Sequence, residues 1–148
     1  MNSDANCSVI RAADKAGVKR IVVLGAHLPF LLRTDKFGYS KGKRLTFEAA
    51  QAFAAISSGH SAVVMQPNGI IGTRYKPNGK AIHLETVMNP VIKFQRFPPR
   101  WVQWLLPESL VTIEEVARMA AYAALSPAPY SGKLTVISNR EIIVGPDR

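Results

Sequence analysis

Cysteine is almost absent from this chain of 148 residues, because Cys7 is the single one. One cysteine excludes an internal disulfide framework and is typical of a protein from a reducing compartment. No histidine and cysteine spacing typical of a metal site is present either, so we expect no bound metal. The tripeptide His83-Leu84-Glu85 copies part of a zinc-deaminase motif, but no Cys-x-x-Cys follows it, which excludes that class.

A long apolar run is also missing. Residues 49–73 carry no charge, but serines, glycines, a histidine and a proline interrupt them. They therefore predict a helix end, a turn and a strand rather than a transmembrane span. The tryptophan-containing residues 101–106 are too few to cross a bilayer. Polar residues follow Met1 and no transit peptide is legible, so we expect that one was removed or that Met1 is not the true start.

Acidic residues are scarce, since 10 Asp and Glu stand against 19 Lys and Arg and leave a net charge of +9. Between residues 49 and 107, Glu85 is the only acidic residue. Such a basic protein attracts nucleic acid, anionic lipid or acidic protein surfaces. No nucleic-acid-binding motif accompanies the charge. We therefore expect other protein subunits and anionic lipid as partners, rather than nucleic acid.

Apolar strands and helix signals alternate along the chain and predict an α/β fold. Helices are expected at about residues 3–16, with Gly17 as the stop, at about 39–57, and from the capping box of Thr112 and Glu115 to about 125. Short β-branched runs predict buried strands at Ile21 to Leu24 and at residues 62–65, and a third strand is predicted at 133–137, after Gly132. Strands that alternate with helices form a parallel sheet, here of about three strands.

Residues 67–110 depart from this alternation, with six prolines and three glycines between residues 67 and 107. They predict a long irregular segment with one short helix at about His83 to Lys93. Loops of this length are usually functional or pack on a partner. We interpret residues 1–148 as one partial domain in which 67–110 form an irregular region.

The most informative segment is FGYSKGK, at residues 37–43. Tyr39 and Lys43 are four residues apart and share one face of the predicted helix, where the ammonium favours the phenolate form of the tyrosine. Lysine also donates hydrogen bonds to sugar hydroxyls. The alternative interpretation is a solvated helix face. Gly42 costs the helix about 1 kcal/mol relative to alanine, which indicates close approach of a neighbouring element or a ligand.

Four segments, in this order, resemble the second half of the short-chain dehydrogenase/reductase family in its extended, atypical and epimerase-like branches. They are residues 12–26, the Y-x-x-x-K motif, residues 61–74, and VTIEEVA at 111–117. The resemblance implies the last three strands of an NAD(P)-binding Rossmann-like sheet. It also implies that Tyr39 is the general acid/base, and that Lys43 promotes its ionisation and binds the nicotinamide ribose.

The chain departs from that family pattern in three places. The glycine-rich turn that holds the pyrophosphate is absent. The serine or threonine that usually ends the strand before the motif is replaced by LGAH, at residues 24–27. After the next strand, Gln66-Pro67-Asn68 stands where related proteins often carry Arg-Pro-Gly. The resemblance implies cofactor contact at Pro67 and Asn68, with Asn68 able to adopt the left-handed conformation of the missing glycine.

These departures favour a non-catalytic, dehydrogenase-derived accessory subunit of a larger organelle complex, which binds no cofactor by this chain alone. The resemblance to atypical organelle members indicates an organelle, and the basic charge favours a membrane-associated mitochondrial complex over a chloroplast one. The alternative is an NAD(P)-dependent oxidoreductase or epimerase, with NAD or NADP held when the nucleotide-binding half is present or supplied in trans. A basic scaffold for anionic lipid or RNA is a third hypothesis.

The strand Ile21–Leu24 would be interior in a complete sheet of this family. In this chain one of its edges is expected to be bare, with unpaired backbone groups and an uncovered apolar face. Three short parallel strands give little independent stability. We therefore predict that something covers this edge: a separate subunit that carries the first half, a different partner, or residues that precede Met1.

Overall fold

The computed structural model describes residues 2–27, 38–75, 78–83, 110–126, 130 and 132–146. These residues form an α/β fold with a three-stranded parallel sheet and flanking helices. In chain order the elements are α1 (Asn2–Lys15), β1 (Arg20–Leu24), α2 (Gly38–Ala54), β2 (Ser61–Gln66), β3 (Ile70–Ile71), β4 (Thr73–Tyr75), β5 (Ala81–His83), β6 (Val111–Thr112), α3 (Ile113–Leu125), β7 (Leu134–Ser138) and α4 (Asn139–Val144).

The main sheet has the strand order β1-β2-β7, so β2 is its centre. β2 pairs with β1 from Arg20↔Ser61 onward and with β7 up to Gln66↔Ser138, both in parallel. Paired on both sides and covered on both faces, β2 is buried over residues 61–65, as a central parallel strand requires.

The prediction that β1 is a buried strand is wrong. Ile21 to Val23 are only half-buried and Leu24 is 41% exposed. The reason is that β1 pairs with β2 on one side, while no strand among the described residues pairs with its other side.

Successive side chains of a strand point to opposite faces of a sheet, so both faces of this sheet carry side chains that helices can cover. One layer of helices packs on each face. On one face, α1 and α2 bury a cluster that includes Ile10, Phe53 and Val64. On the other face, Met119 of α3 and Ile142 of α4 pack with residues of β2 and β7. The sheet is therefore the middle of three layers.

α1 and α2 pack in parallel, because contacts advance along both helices together. At one end, a Cβ on Gly42 would lie 3.5 Å from the Cβ of Ser3. One turn further on, the Asn6 amide lies 3.5 Å from the Thr46 hydroxyl. The neighbouring element at Gly42 is therefore helix α1, but it lies at an ordinary van der Waals distance that leaves room for a Cβ, so the predicted close approach is not found there.

The carboxyl ends of these two helices meet at a buried histidine, His60. Its Nδ1 lies 2.7 Å from the hydroxyl of Ser57, and its Nε2 lies 3.8 Å from a carboxylate oxygen of Asp14. α2 ends at Ala54 rather than near Ser57 as predicted. The Ser57 hydroxyl accepts a hydrogen bond from the Gly59 amide, which turns the chain toward β2 instead of extending the helix.

Helix α3 begins as the sequence predicts. Thr112 is the N-cap: its hydroxyl accepts from the Glu115 amide at 3.2 Å, and the Glu115 carboxylate accepts from the Thr112 amide at 2.7 Å. At the end of α1, Gly17 has a φ of 75°, which confirms it as the predicted stop.

We predict that Thr112→Ala lowers the free energy of unfolding by about 1 kcal/mol, because the amide of the first helical turn loses its acceptor. Urea unfolding followed by circular dichroism measures this change. Thr112→Ser keeps the hydroxyl and should remain within about 0.5 kcal/mol of the wild type. Equal losses in both variants would mean that the methyl group, not the cap, matters here.

The described part of residues 67–110 is more regular than predicted. β4 and β5 form an antiparallel pair, and β3 pairs in parallel with β6. His83 ends strand β5 instead of beginning a helix, since its backbone pairs with Thr73. The rest of the predicted helix, residues 84–93, lies outside the described residues, as does most of the predicted irregular segment.

The short helix α4 was not predicted, although it also begins with a capping box, between Ser138 and Glu141. Within the described parts of the chain, no helix is both long and apolar enough to cross a membrane.

Candidate functional site

The sequence-predicted site residues gather at the carboxyl edge of the main sheet. β1 ends at Leu24 and β2 at Gln66, and parallel strands end at the same edge. Because α1 and α2 run parallel to each other and opposite to the strands, both helices begin near this edge. Tyr39 and Lys43 lie in the first turns of α2, and Pro67 and Asn68 follow β2. Ligands of open α/β sheets bind at this kind of edge.

A groove of about 480 Å³ opens between the first turns of α1 and α2. Its described lining combines hydroxyls, one side-chain amide and one ammonium, with no carboxylate among them. Such a surface suits a ligand rich in hydroxyl groups or bearing negative charge. The lining residues are Ser3, Ala5 and Asn6 of α1, and Gly38, Tyr39, Gly42, Lys43 and Thr46 of α2.

Tyr39 and Lys43 lie beside each other, as their spacing predicts. The Lys43 ammonium is 5.7 Å from the centroid of the Tyr39 ring, within the range of a cation–π contact. Its hydrogen bond goes elsewhere: Nζ donates to the carbonyl oxygen of Leu24, at the end of β1, over 2.9 Å. Tyr39 itself is 61% exposed. The lysine is therefore held by the sheet, and the tyrosine faces the groove and solvent.

Burial lowers the pKa of Lys43 below its ordinary value of 10.5, because a half-buried ammonium loses part of its hydration. Between this lowered pKa and the unfolded-state value of about 10.4, the unfolded chain binds more protons than the folded one. The contribution of Lys43 to stability therefore rises with pH through that window.

We predict that the ¹³C-methylated amine of Lys43 titrates at a lower pH in the folded chain than in the urea-unfolded chain, as followed by NMR. Lys43→Arg identifies the signal, because this variant lacks it. Equal titration midpoints in the folded and unfolded chains would contradict the partial burial of this amine.

Pro67 and Asn68 stand at the end of the neighbouring strand and do not line the groove. The Pro67 carbonyl accepts from the amide of His27 at 3.1 Å. Asn68 does not adopt the left-handed conformation that asparagine tolerates, since among the described residues only glycines have a positive φ. Instead, the Asn68 amide donates to the side-chain oxygen of Asn139 at 3.0 Å, which holds this turn.

At Gly25, where the resemblance implies a serine or threonine, the backbone that follows β1 lies close to the backbone of β2. The Gly25 amide donates to the Met65 carbonyl at 2.7 Å. A Cβ at Gly25 would lie 3.0 Å from that same oxygen, which is tighter than most real contacts. A serine hydroxyl has no place at this residue without movement of β2.

Three groove residues were not predicted from the sequence: Ser3, Asn6 and Thr46. The available signal was their spacing, since Ser3 and Asn6 are on the same face of α1 as the buried Ile10. Thr46 is fully buried and its hydroxyl donates to the Gly42 carbonyl at 2.9 Å, so it shapes the wall of the groove.

No group of three or more His, Cys, Asp or Glu side chains is arranged for a metal ion in the parts of the chain that the structure describes. A scan against protein-family models, a search of curated proteins and a search of solved structures each returned no match. The resemblance to short-chain dehydrogenases therefore stays a prediction from the sequence motifs.

Proposed function

We propose that this chain is a non-catalytic accessory subunit of a larger organelle complex, derived from an incomplete Rossmann-like dehydrogenase domain. One observation supports the proposal above the others: the half-buried strand β1 has a second edge that no described strand pairs with. Unpaired strand edges attract further strands, so a monomer would expose a ready site for association. A mitochondrial, membrane-associated complex remains the expected setting, with basic charge favouring acidic subunits or anionic headgroups.

The state of Lys43 also supports a non-catalytic role. Its amine is engaged by the Leu24 carbonyl at 2.9 Å, where a working pair would direct it toward a bound ribose. The groove beside it has no serine equivalent at the end of β1. Both observations fit a vestigial Tyr39 and Lys43 pair.

The proposal is tested by comparing the purified chain with the chain in a native detergent extract. Size-exclusion chromatography with light scattering should show the native chain in a particle larger than a monomer. Hydrogen exchange of the β1 amides should be slower in that particle than in the isolated chain. A native chain that is monomeric, stably folded and binds NADPH tightly would refute an accessory role.

The alternative function is an NAD(P)-dependent oxidoreductase or epimerase, and the polar groove with Tyr39 and Lys43 is the observation that favours it. Here a nucleotide-binding half would complete the sheet, Tyr39 would exchange a proton with a carbonyl or hydroxyl, and Lys43 would bind the ribose.

This alternative requires turnover with NADH or NADPH once the missing half is present. Tyr39→Phe should then lower kcat by about 10²–10⁴-fold, the usual contribution of a general acid/base. Lys41→Ala, an exposed change on the same helix, serves as the matched control and should leave kcat unchanged. Turnover that survives Tyr39→Phe would exclude the assigned role.

A further inference from the structure

The buried histidine His60 lies at the carboxyl ends of α1 and α2, opposite to the helix ends that line the groove. The residue is 4% exposed, and its ring meets the Phe53 ring edge-on. Its Nε2 is buried and has no hydrogen-bond partner within the described part of the chain. Buried polar atoms are nearly always hydrogen-bonded, so packing alone does not account for a histidine at this position.

The Asp14 carboxylate faces the unpartnered nitrogen and determines the state of the ring. One carboxylate oxygen lies 3.8 Å from Nε2, which is beyond hydrogen-bond range but close enough to attract a proton held there. The neutral tautomer with its proton on Nε2 is therefore favoured. In that tautomer, Nδ1 of His60 carries the lone pair and can accept a proton.

The Ser57 hydroxyl lies against that lone pair. Its Oγ is 2.7 Å from Nδ1 of His60, and the same oxygen accepts from the Gly59 amide at 3.3 Å, so the hydroxyl hydrogen is left for the histidine. Ser57 is exposed although His60 is buried, so a reagent in solvent can reach the serine oxygen. A hydroxyl in contact with a base that a third group orients is the arrangement of an activated nucleophile.

The two helices favour the cation that forms when Ser57 gives its proton to His60. Helix carboxyl ends carry partial negative charge and stabilise a cation beside the last turn. Asp14 belongs to the last turn of α1, and Phe53, which contacts the histidine ring, belongs to the last turn of α2. The negative charge of the Asp14 carboxylate acts in the same direction, so an imidazolium is stabilised from both helices.

The amide of Ser58 is available for the negative charge that develops on a substrate. Ser58 is exposed, and its amide donates to no oxygen of the residues that the structure describes. The amide that follows a nucleophilic residue is a common member of an oxyanion hole. Such a donor contributes most when the carbonyl oxygen of the substrate becomes an oxyanion.

We propose that Ser57 is an acyl-acceptor site for esters with a good leaving group. The Oγ of Ser57 forms a bond to the ester carbonyl carbon while its proton passes to Nδ1 of His60. The bond from that carbon to the leaving oxygen then breaks, the leaving oxygen takes the electron pair, and His60 returns the proton to it. The products are an O-acyl serine, a free alcohol and neutral His60, with Asp14 as a positioning residue.

The site is tested by incubating the purified full-length chain with p-nitrophenyl acetate. Tandem mass spectrometry of peptides quenched in acid locates the acetyl groups, and p-nitrophenolate release relative to Ser57→Ala measures the total reaction at this residue. Ser58 is the internal control, because it is also exposed and has no histidine partner among the described residues. We expect Ser57 to react at least about tenfold faster than Ser58, since a general base contributes about 10²–10⁴-fold. Equal rates at the two serines would overturn the proposal.

Variants of the two supporting residues distinguish activation from a purely structural contact. Asp14→Asn, at a side chain that is 45% exposed, should slow the reaction of Ser57 at least about tenfold, and Asp14→Glu should restore it. His60→Gln should make Ser57 as slow as Ser58, with circular dichroism showing whether the variant folds. If His60→Gln does not fold, the Asp14 pair decides. An unchanged rate in Asp14→Asn, or a loss that Asp14→Glu does not restore, would overturn the proposed role of this carboxylate.

The acyl-acceptor site and the accessory role fail separately. A chain found in a large particle whose Ser57 reacts no faster than Ser58 would exclude the site and leave the accessory role standing. A monomeric chain with a reactive Ser57 that binds NADPH tightly would do the reverse.

Discussion

Replacing Phe53 by alanine is expected to lower the free energy of unfolding by about 3–5 kcal/mol. Phe53 is 2% exposed and packs in the cluster between α1, α2 and the sheet. Its ring also meets the buried His60 ring edge-on, with centroids 5.0 Å apart. The substitution removes this contact and leaves a cavity where the two helices and β2 converge, so several elements lose packing at once.

Urea unfolding followed by circular dichroism measures this loss, with the slope against urea compared between variants. Ile56→Ala is the matched control, because Ile56 follows the same helix but is 51% exposed. Its cost should stay below about 1 kcal/mol. A similar loss in both variants would mean that the described cluster does not determine stability at this end of α2.

Gly132→Ala is expected to cost about 2–5 kcal/mol for two reasons that add. Gly132 has a φ of 69°, a left-handed conformation that costs other residues about 1–2 kcal/mol. A Cβ there would also lie 2.7 Å from the Ser58 carbonyl oxygen, so the backbone must shift by an amount that typically costs about 1–3 kcal/mol. The strained residue lies just before β7, so the substitution is expected to disturb the pairing of β7 with β2.

Gly17→Ala separates these two contributions. Gly17 has a φ of 75°, and a Cβ there would meet nothing within 4 Å. This variant should therefore show the conformational cost alone, about 1–2 kcal/mol. The difference between the losses of unfolding free energy in the two variants measures the cost of the contact with Ser58. If Gly17→Ala is as destabilising as Gly132→Ala, that contact is not significant.

Local signals were enough to predict the main elements. Gly17 ends α1 because glycine adopts a positive φ without strain. The Thr112 and Glu115 pair begins α3 because its hydrogen bonds involve residues only three apart. β-branched runs gave the three strands of the main sheet within one or two residues. Each of these signals acts within a few neighbouring residues and needs no tertiary contact.

Elements such as β3 and α4 were not predicted from the sequence. They depend on pairing between residues far apart in the chain, or on residues whose propensity and capping pattern favour different structures. β3 has only two residues, and it exists because it pairs with β6 far along the chain. The run of isoleucines and valine in α4 favours a strand by propensity. The Ser138 and Glu141 capping box overrides it and starts a helix directly after β7.

The candidate site was predictable only in part, for the same reason. The spacing of Tyr39 and Lys43 places them side by side on any helix. The hydrogen bond from Lys43 to Leu24 depends on how α2 packs against the end of β1, which spacing does not reveal. The hydrogen bond that holds Asn68 could not be predicted either, because its partner, Asn139, lies in a helix that was not foreseen.

The central position of β2 has a consequence for synthesis on the ribosome. β1, α2 and β2 follow each other closely, but β7 comes much later in the chain. At about 5–20 residues per second, the apolar strand β2 waits for seconds with one side unpaired. A nascent chain of this topology is therefore a natural client for chaperones that bind extended apolar segments, until translation delivers the third strand.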